Sequence, residues 1–117
     1  MSESKVLPVE PEKINQMEGI LCHFQTDRDF VKNYASSDEA DRLGDLSSVC
    51  LNFASGVADA GGFGALNRLV AYADDSKFAL FALNPKSATP PGPRIFGIKM
   101  SASTKLEKLV SDINQMI

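Results

Sequence analysis

Residues 36–62 read SSDEADRLGDLSSVCLNFASGVADAGG, and this stretch decides the fold. Ser36-Ser37-Asp38-Glu39 has the form of a capping box, a hydroxyl followed three residues later by a carboxylate. Each side chain can then serve an unpaired backbone donor of a first helical turn. Behind it Ala40, Leu43, Leu46, Val49, Cys50, Phe53, Val57 and Ala60 recur at intervals of three and four, the spacing of one helix face. Gly61-Gly62 ends the run, because glycine takes the left-handed cap conformation without steric cost. The spacing therefore predicts one helix of about six turns. A second apolar aspect, Leu51, Ala54 and Ala58, lies off that stripe. Small residues recur as Ala54…Ala58 and Gly56…Ala60, and a mid-helix glycine costs about 1 kcal/mol relative to alanine. That cost fits a position where another backbone comes close. One sheet face covers only one side of a helix, so the expectation is a helix–helix contact with a second copy of the chain.

Outward from this helix, the remaining elements are short. Residues 1–10 read as a flexible arm, and residues 11–117 as a single domain. Pro11 suits a first helical position, which predicts a brief helix over Pro11 to Glu18 with Ile14 and Met17 on its apolar edge. Gly19 to Gln25 and Phe30 to Tyr34 read as strands about the polar turn Thr26 to Asp29. Arg68 to Ala73 and Phe78 to Leu83 form a second such pair about Asp74 to Lys77. The run from Phe78 to Leu83 does not alternate, so it belongs in a sheet covered on both faces. Residues 84–93 hold four prolines and read as a loop. Arg94 to Met100 is a fifth strand. Thr104 and Glu107 offer a capping box for a last helix with Leu106, Leu109, Val110, Ile113 and Ile117 on one face. The order α-β-β-α-β-β-β-α predicts an α/β (α+β) fold. It is a three-layer α/β/α sandwich about a five-stranded, mainly antiparallel sheet.

Composition narrows the function. The apolar share of 44% is that of a globular protein, and the net charge of −3 gives no electrostatic reason to approach nucleic acid or an anionic membrane. The basic residues never form a run. No apolar stretch follows the first residues as in a secretory signal, and no run approaches membrane-spanning length. Cys22 and Cys50 sit in apolar surroundings and read as reduced core thiols of a cytoplasmic protein. The one histidine, His23, lies inside a strand with no nucleophile motif beside it, so a structural or a surface residue is expected and not a general base. Asp27/Asp29 and Asp74/Asp75 stand at turns, where aspartate is favoured by turn hydrogen bonding alone. The glycines around residue 61 follow a helix instead of opening one, which is not a phosphate loop. No enzyme, cofactor or metal is expected.

The order and apolar pattern resemble the roadblock/dynein light chain family, which is related to the longin and profilin-like folds. The resemblance runs from Pro11 to Ile117. It rests on the short helix before Gly19-Ile20-Leu21, the Asp27–Asp29 hairpin and the long helix from Ser37 to Gly61. Leu69-Val70-Ala71-Tyr72, Phe78-Ala79-Leu80-Phe81 and the last strand and helix complete it. One departure is that members commonly carry glycine in the first hairpin turn. The resemblance implies a non-catalytic adaptor, a homodimer or a heterodimer with a related chain, in which the long helices pair and the third strands join two sheets. The implied interface comprises Leu46, Val49, Cys50, Phe53, Ala54, Val57, Ala58, Leu69 and Ala71. The implied partner is a small Ras-like GTPase or a motor or signalling scaffold, met by Asp41, Arg42, Asp45, Ser48, Asn52 and Ser55. The alternative is a profilin-like sensor holding a small molecule, with Phe24, Phe81 and Phe96 as candidate lining residues.

Overall fold

In the computed structural model, which describes residues 11–27, 30–64, 68–83 and 94–115, the elements follow the expected order. They are α1 (Pro11–Asn15), β1 (Ile20–Thr26), β2 (Lys32–Ala35), α2 (Asp38–Gly61), β3 (Arg68–Tyr72), β4 (Ser76–Leu83), β5 (Arg94–Ser101) and α3 (Leu106–Gln115). The fold is α+β. The five strands form one antiparallel sheet in the order β2-β1-β5-β4-β3. The last strand in sequence is thus the central one, and β2 and β3 are the edges. The expected arm over residues 1–10, the proline-rich stretch over residues 84–93, Arg28, Asp29 and Ile117 lie outside the described residues.

Strand alternation sends side chains into two cores, one on each sheet face. On one face, Ile14 of α1 and Leu106, Leu109, Val110 and Ile113 of α3 pack with Ala79, Phe81, Phe96, Ile98 and Met100. On the other, α2 meets Cys22, Phe24, Leu80 and Ile95, with Leu69 and Phe78 at the margin. β4 and β5 feed both clusters, which is why the run from Phe78 onward does not alternate: Ala79, Leu80 and Phe81 are all buried. Phe24 lies directly across from Gly97, and its ring covers that glycine. The missing side chain is what admits the ring: a Cβ on Gly97 would stand 2.0 Å from a ring carbon.

The helix ends differ from the expected capping boxes. Ser37, not Ser36, caps α2, its hydroxyl accepting the Ala40 N–H at 3.1 Å. Ser36 is held by the sheet instead. Its N–H donates to the His23 carbonyl and its Oγ accepts the His23 N–H, both at 2.9 Å. Glu39 turns away to accept from Lys99 Nζ at 3.0 Å. Before α3, the Thr104 hydroxyl bonds to Ser101 Oγ at 2.7 Å, while Glu107 pairs with Arg68 across on β3. The C-terminal expectation for α2 agrees with what is observed. Gly62 is left-handed (φ 68°), with Gly62 N–H to Asp59 O at 3.2 Å and Phe63 N–H to Ala58 O at 3.0 Å. These two bonds are the paired closing contacts of a Schellman cap.

The face that α2 turns to the sheet is rotated by about a third of a turn from its predicted main stripe, of which only Ala40 and Leu43 meet the sheet. Ala40, Gly44, Ser47 and Ala58 are buried, and Leu43, Leu51 and Ala54 are half-buried. Leu46, Val49, Phe53 and Val57 point outward at 63%, 67%, 75% and 48% exposure, with Cys50 and Ala60 also exposed. The reason is steric. Phe24, Leu80 and Ile95 already fill the sheet surface beneath the helix, so small residues are what fit between.

Gly97→Ala should overpack the Phe24 contact and destabilise the fold by roughly 1–3 kcal/mol. Gly56→Ala, where an added Cβ meets open space, should cost nothing and gain up to about 1 kcal/mol. Urea unfolding midpoints at one fixed protein concentration separate the two variants.

Candidate functional site

Successive residues turn roughly 100° around a helix, which divides α2 into three sectors about 120° apart. One sector lies on the sheet. A second is polar and carries Asp41, Asp45, Ser48, Asn52 and Ser55; all are exposed except half-buried Ser48, whose hydroxyl donates to the Asp45 carbonyl at 3.2 Å. Arg42 is exposed but stands apart, at the border of the third sector. That third sector is apolar and solvent-facing: Leu46, Val49, Cys50, Phe53 and Val57. The spacing 46-50-53-57 is the alternation of four and three residues that forms a seam in paired helices.

The orientation of this seam follows from one ion pair. Glu39 lies on the same side of α2 as Leu46 and Val57, and it reaches Lys99 on β5. That side of the helix therefore turns toward the β5–β4–β3 half of the sheet, while the body of α2 lies over β1, β2 and β5. On the half left less covered, Leu69 and Phe78 are half-buried and Ala71 is exposed. Among the described residues β3 forms the edge there, paired with β4. The residues expected at an interface thus divide. Leu46, Val49, Cys50, Phe53, Val57 and Ala71 are open to solvent. Ala54 is half-buried, Leu69 is half-buried in the core beneath α2, and Ala58 is only 7% exposed.

Two further aromatic residues are exposed, and of them Phe63 escaped the sequence reading. Tyr72, at 73% exposure, ends β3 with Lys77 Nζ 5.9 Å from its ring centroid. Phe63, at 78%, follows the Gly62 cap and lies against Gly61. Its position just beyond a glycine cap is a signal, since that position commonly carries an apolar residue.

The cysteines are free and unlike each other, which corrects the expectation of two core thiols. Cys22 is buried, its Sγ donating to Glu39 Oε1 at 3.6 Å. Burial, reinforced by the Glu39 carboxylate, raises its pKa. Cys50 is exposed in the apolar seam. His23 is 1% exposed, and its Nε2 sits 2.8 Å from Asn15 Oδ1. Burial lowers its pKa. Asp27 Oδ1 accepts the Val31 N–H at 3.0 Å, a turn role. Among the described residues no group of three or more His, Cys, Asp or Glu side chains is placed to hold a metal, and no helix is long and apolar enough to cross a membrane.

A shallow groove of about 560 Å³ lies between the end of α1 and the start of α3, lined by Met17, Ser101, Thr104, Lys105 and Lys108 among others. The three phenylalanines considered as pocket residues do not line it. Phe24 and Phe96 are fully buried and Phe81 nearly so, with Phe81 stacked on Phe96 at 5.9 Å and Phe24 on Phe78 at 6.4 Å.

No protein-family model matches the chain, and no curated protein matches it in sequence.

Cys50 should react with a maleimide at neutral pH, and Cys22 roughly tenfold more slowly or only on unfolding, because the reactive species is an accessible thiolate. Mass spectrometry of peptides from briefly labelled native protein distinguishes the two thiols.

Proposed function

We propose that this chain is a non-catalytic adaptor that pairs with a second copy of itself through the outer seam of α2 and the β3 edge. The pair then presents its polar helix faces to a protein partner. The observation that carries this reading is the exposed apolar seam, Leu46, Val49, Cys50, Phe53 and Val57, on an otherwise amphipathic helix. A contiguous apolar strip of this kind is what protein interfaces cover.

A second copy suits the seam. In an antiparallel pairing that sets Cys50 against Phe53 of the other copy, Leu46 meets Val57, so every large seam residue finds an apolar neighbour. Neither charge bordering the seam is set against itself: Glu39 is engaged by Lys99, and Arg42 falls opposite the glycine end of the partner helix. Leu69, Ala71 and the free edge of β3 stand on the side toward which the seam turns. They extend the contact from helix to sheet, as the resemblance to roadblock-type proteins implies.

The same resemblance supports the choice of partner, a small Ras-like GTPase or a scaffold that includes one, held at Asp41, Asp45, Ser48, Asn52 and Ser55, with Arg42 at the margin. Recognition by these side chains is a matter of shape and charge complementarity.

Light scattering behind a sizing column should give twice the 12.6 kDa chain mass. Phe53→Asp should return it to a monomer with unchanged circular dichroism, a loss of self-affinity of roughly 100-fold or more. Ala54→Glu is the wrong probe, since half-buried Ala54 faces the sheet and its replacement perturbs the fold. A wild-type monomer at the highest soluble concentration would overturn the pairing. Dimeric protein that retains no GTPase from its own cell extract, in either nucleotide state, would overturn the choice of partner.

A further inference from the structure

On the sheet face opposite α2, His23 is 1% exposed although it carries two ring nitrogens that seek hydrogen bonds. Nε2 faces Asn15 Oδ1 at 2.8 Å, a contact that the neutral Nε2–H tautomer makes as donor to the amide oxygen. Nδ1 is buried with no hydrogen-bond partner among the described residues. This arrangement suits a neutral imidazole. A protonated ring would carry a second N–H with no acceptor and a charge in a dry site.

Asn15 is the last residue of α1, and among the described residues α1 has little else to hold it. It is five residues long, too short to persist alone. Ile14 is its only buried side chain, with half-buried Met17 just beyond. Its closing bonds, Gln16 N–H to Glu12 O at 3.3 Å and Met17 N–H to Ile14 O at 3.0 Å, are local.

We propose that the His23–Asn15 contact is an acid-sensitive latch: protonation of His23 releases α1 from the sheet while the sheet itself stays folded.

Among the described residues, the charged groups nearby do not offer the imidazolium a partner. On α1, Glu12 and Lys13 are exposed. On β2, Tyr34 lays its ring beside the imidazole, the centroids 5.4 Å apart and tilted by 31°. On β5, the residue opposite His23 is Ile98, and Lys99 is turned to the other face, where it pairs with Glu39. On α3, Glu107 is tied to Arg68 and Lys108 to Asp112, with Lys105 exposed. Burial alone sets the titration, holding the imidazole below its ordinary range. The sign follows. The contact contributes fully above the ordinary histidine pKa and is lost as pH falls below it, with opening favoured by up to about tenfold per pH unit. Because α1 lies on the face away from α2, release leaves the outer seam untouched.

Hydrogen exchange read by mass spectrometry, expressed as protection factors corrected for intrinsic rate, tests this in the full chain. Between pH 7.5 and 5.0 the peptide over residues 12–19 should lose protection by roughly tenfold or more, while peptides from β4 and β5 keep theirs. His23→Gln should abolish that pH dependence. Asn15→Leu, a change at an exposed position that leaves the core intact, should show low α1 protection already at pH 7.5. Equal α1 protection at both pH values, a parallel loss across the whole sheet, or full protection of α1 in Asn15→Leu would each overturn the latch.

Discussion

A helix presses only one of its sectors against a sheet, and in this chain the helix in question has two apolar sectors to choose from. The choice is made by volume. Phe24, Leu80 and Ile95 rise from the sheet under α2, and Phe24 is itself settled over the bare backbone of Gly97. The space left accepts Ala40, Gly44, Ser47 and Ala58, with Leu43 and Leu51 filling the flanks. Turning Leu46, Val49, Phe53 and Val57 inward would force large side chains against an already filled surface. Packing density, not total hydrophobicity, therefore orients the helix, and the larger apolar residues are left in water as a consequence.

This explains which parts of the fold were legible from residues alone. Strand positions and element order were readable because period-two alternation, turn residues and helix punctuation are local properties. The non-alternating run from Phe78 announced a doubly covered strand for the same reason. The facing sector of α2 was not readable. Periodicity gives the angle between residues on a helix but not which angle meets the sheet, and weighting by size favours the bulkier stripe. The capping residues moved for a related cause. Ser36 and Glu39 have the chemistry of a capping box, yet tertiary partners claimed both, His23 for one and Lys99 for the other. No local pattern reveals a competitor 13 or 60 residues away.

The candidate surface was legible in its membership and obscure in its geometry. Leu46, Val49, Cys50, Phe53 and Val57 are named by their spacing, but whether such a stripe is core or surface depends on the sheet it faces. Ala58 shows the converse: a small residue that looks suited to close helix–helix approach is used for close approach to the chain's own sheet. Phe63 was missed because a single aromatic residue in a loop carries no periodic signal.

The size of the exposed seam bears on how it can work. Fully burying a large aliphatic or aromatic side chain returns about 1.5–3 kcal/mol. Leu46, Val49, Phe53 and Val57 each retain between 48% and 75% of their exposure, so covering all four on both copies returns on the order of 10 kcal/mol. Association itself costs about 4–15 kcal/mol in lost freedom before any side chain is ordered. Helix pairing alone is thus close to break-even. In the proposed pair the edge of β3 would supply what the seam lacks, because backbone hydrogen bonds form when a strand is added to a sheet edge and Leu69 and Ala71 add apolar area on the same side. A stable pair needs both surfaces at once. Neither the helix nor the edge suffices as an isolated contact, and the ion pair that turns the seam toward the edge, Glu39 with Lys99, marks the side on which the two can act as one surface.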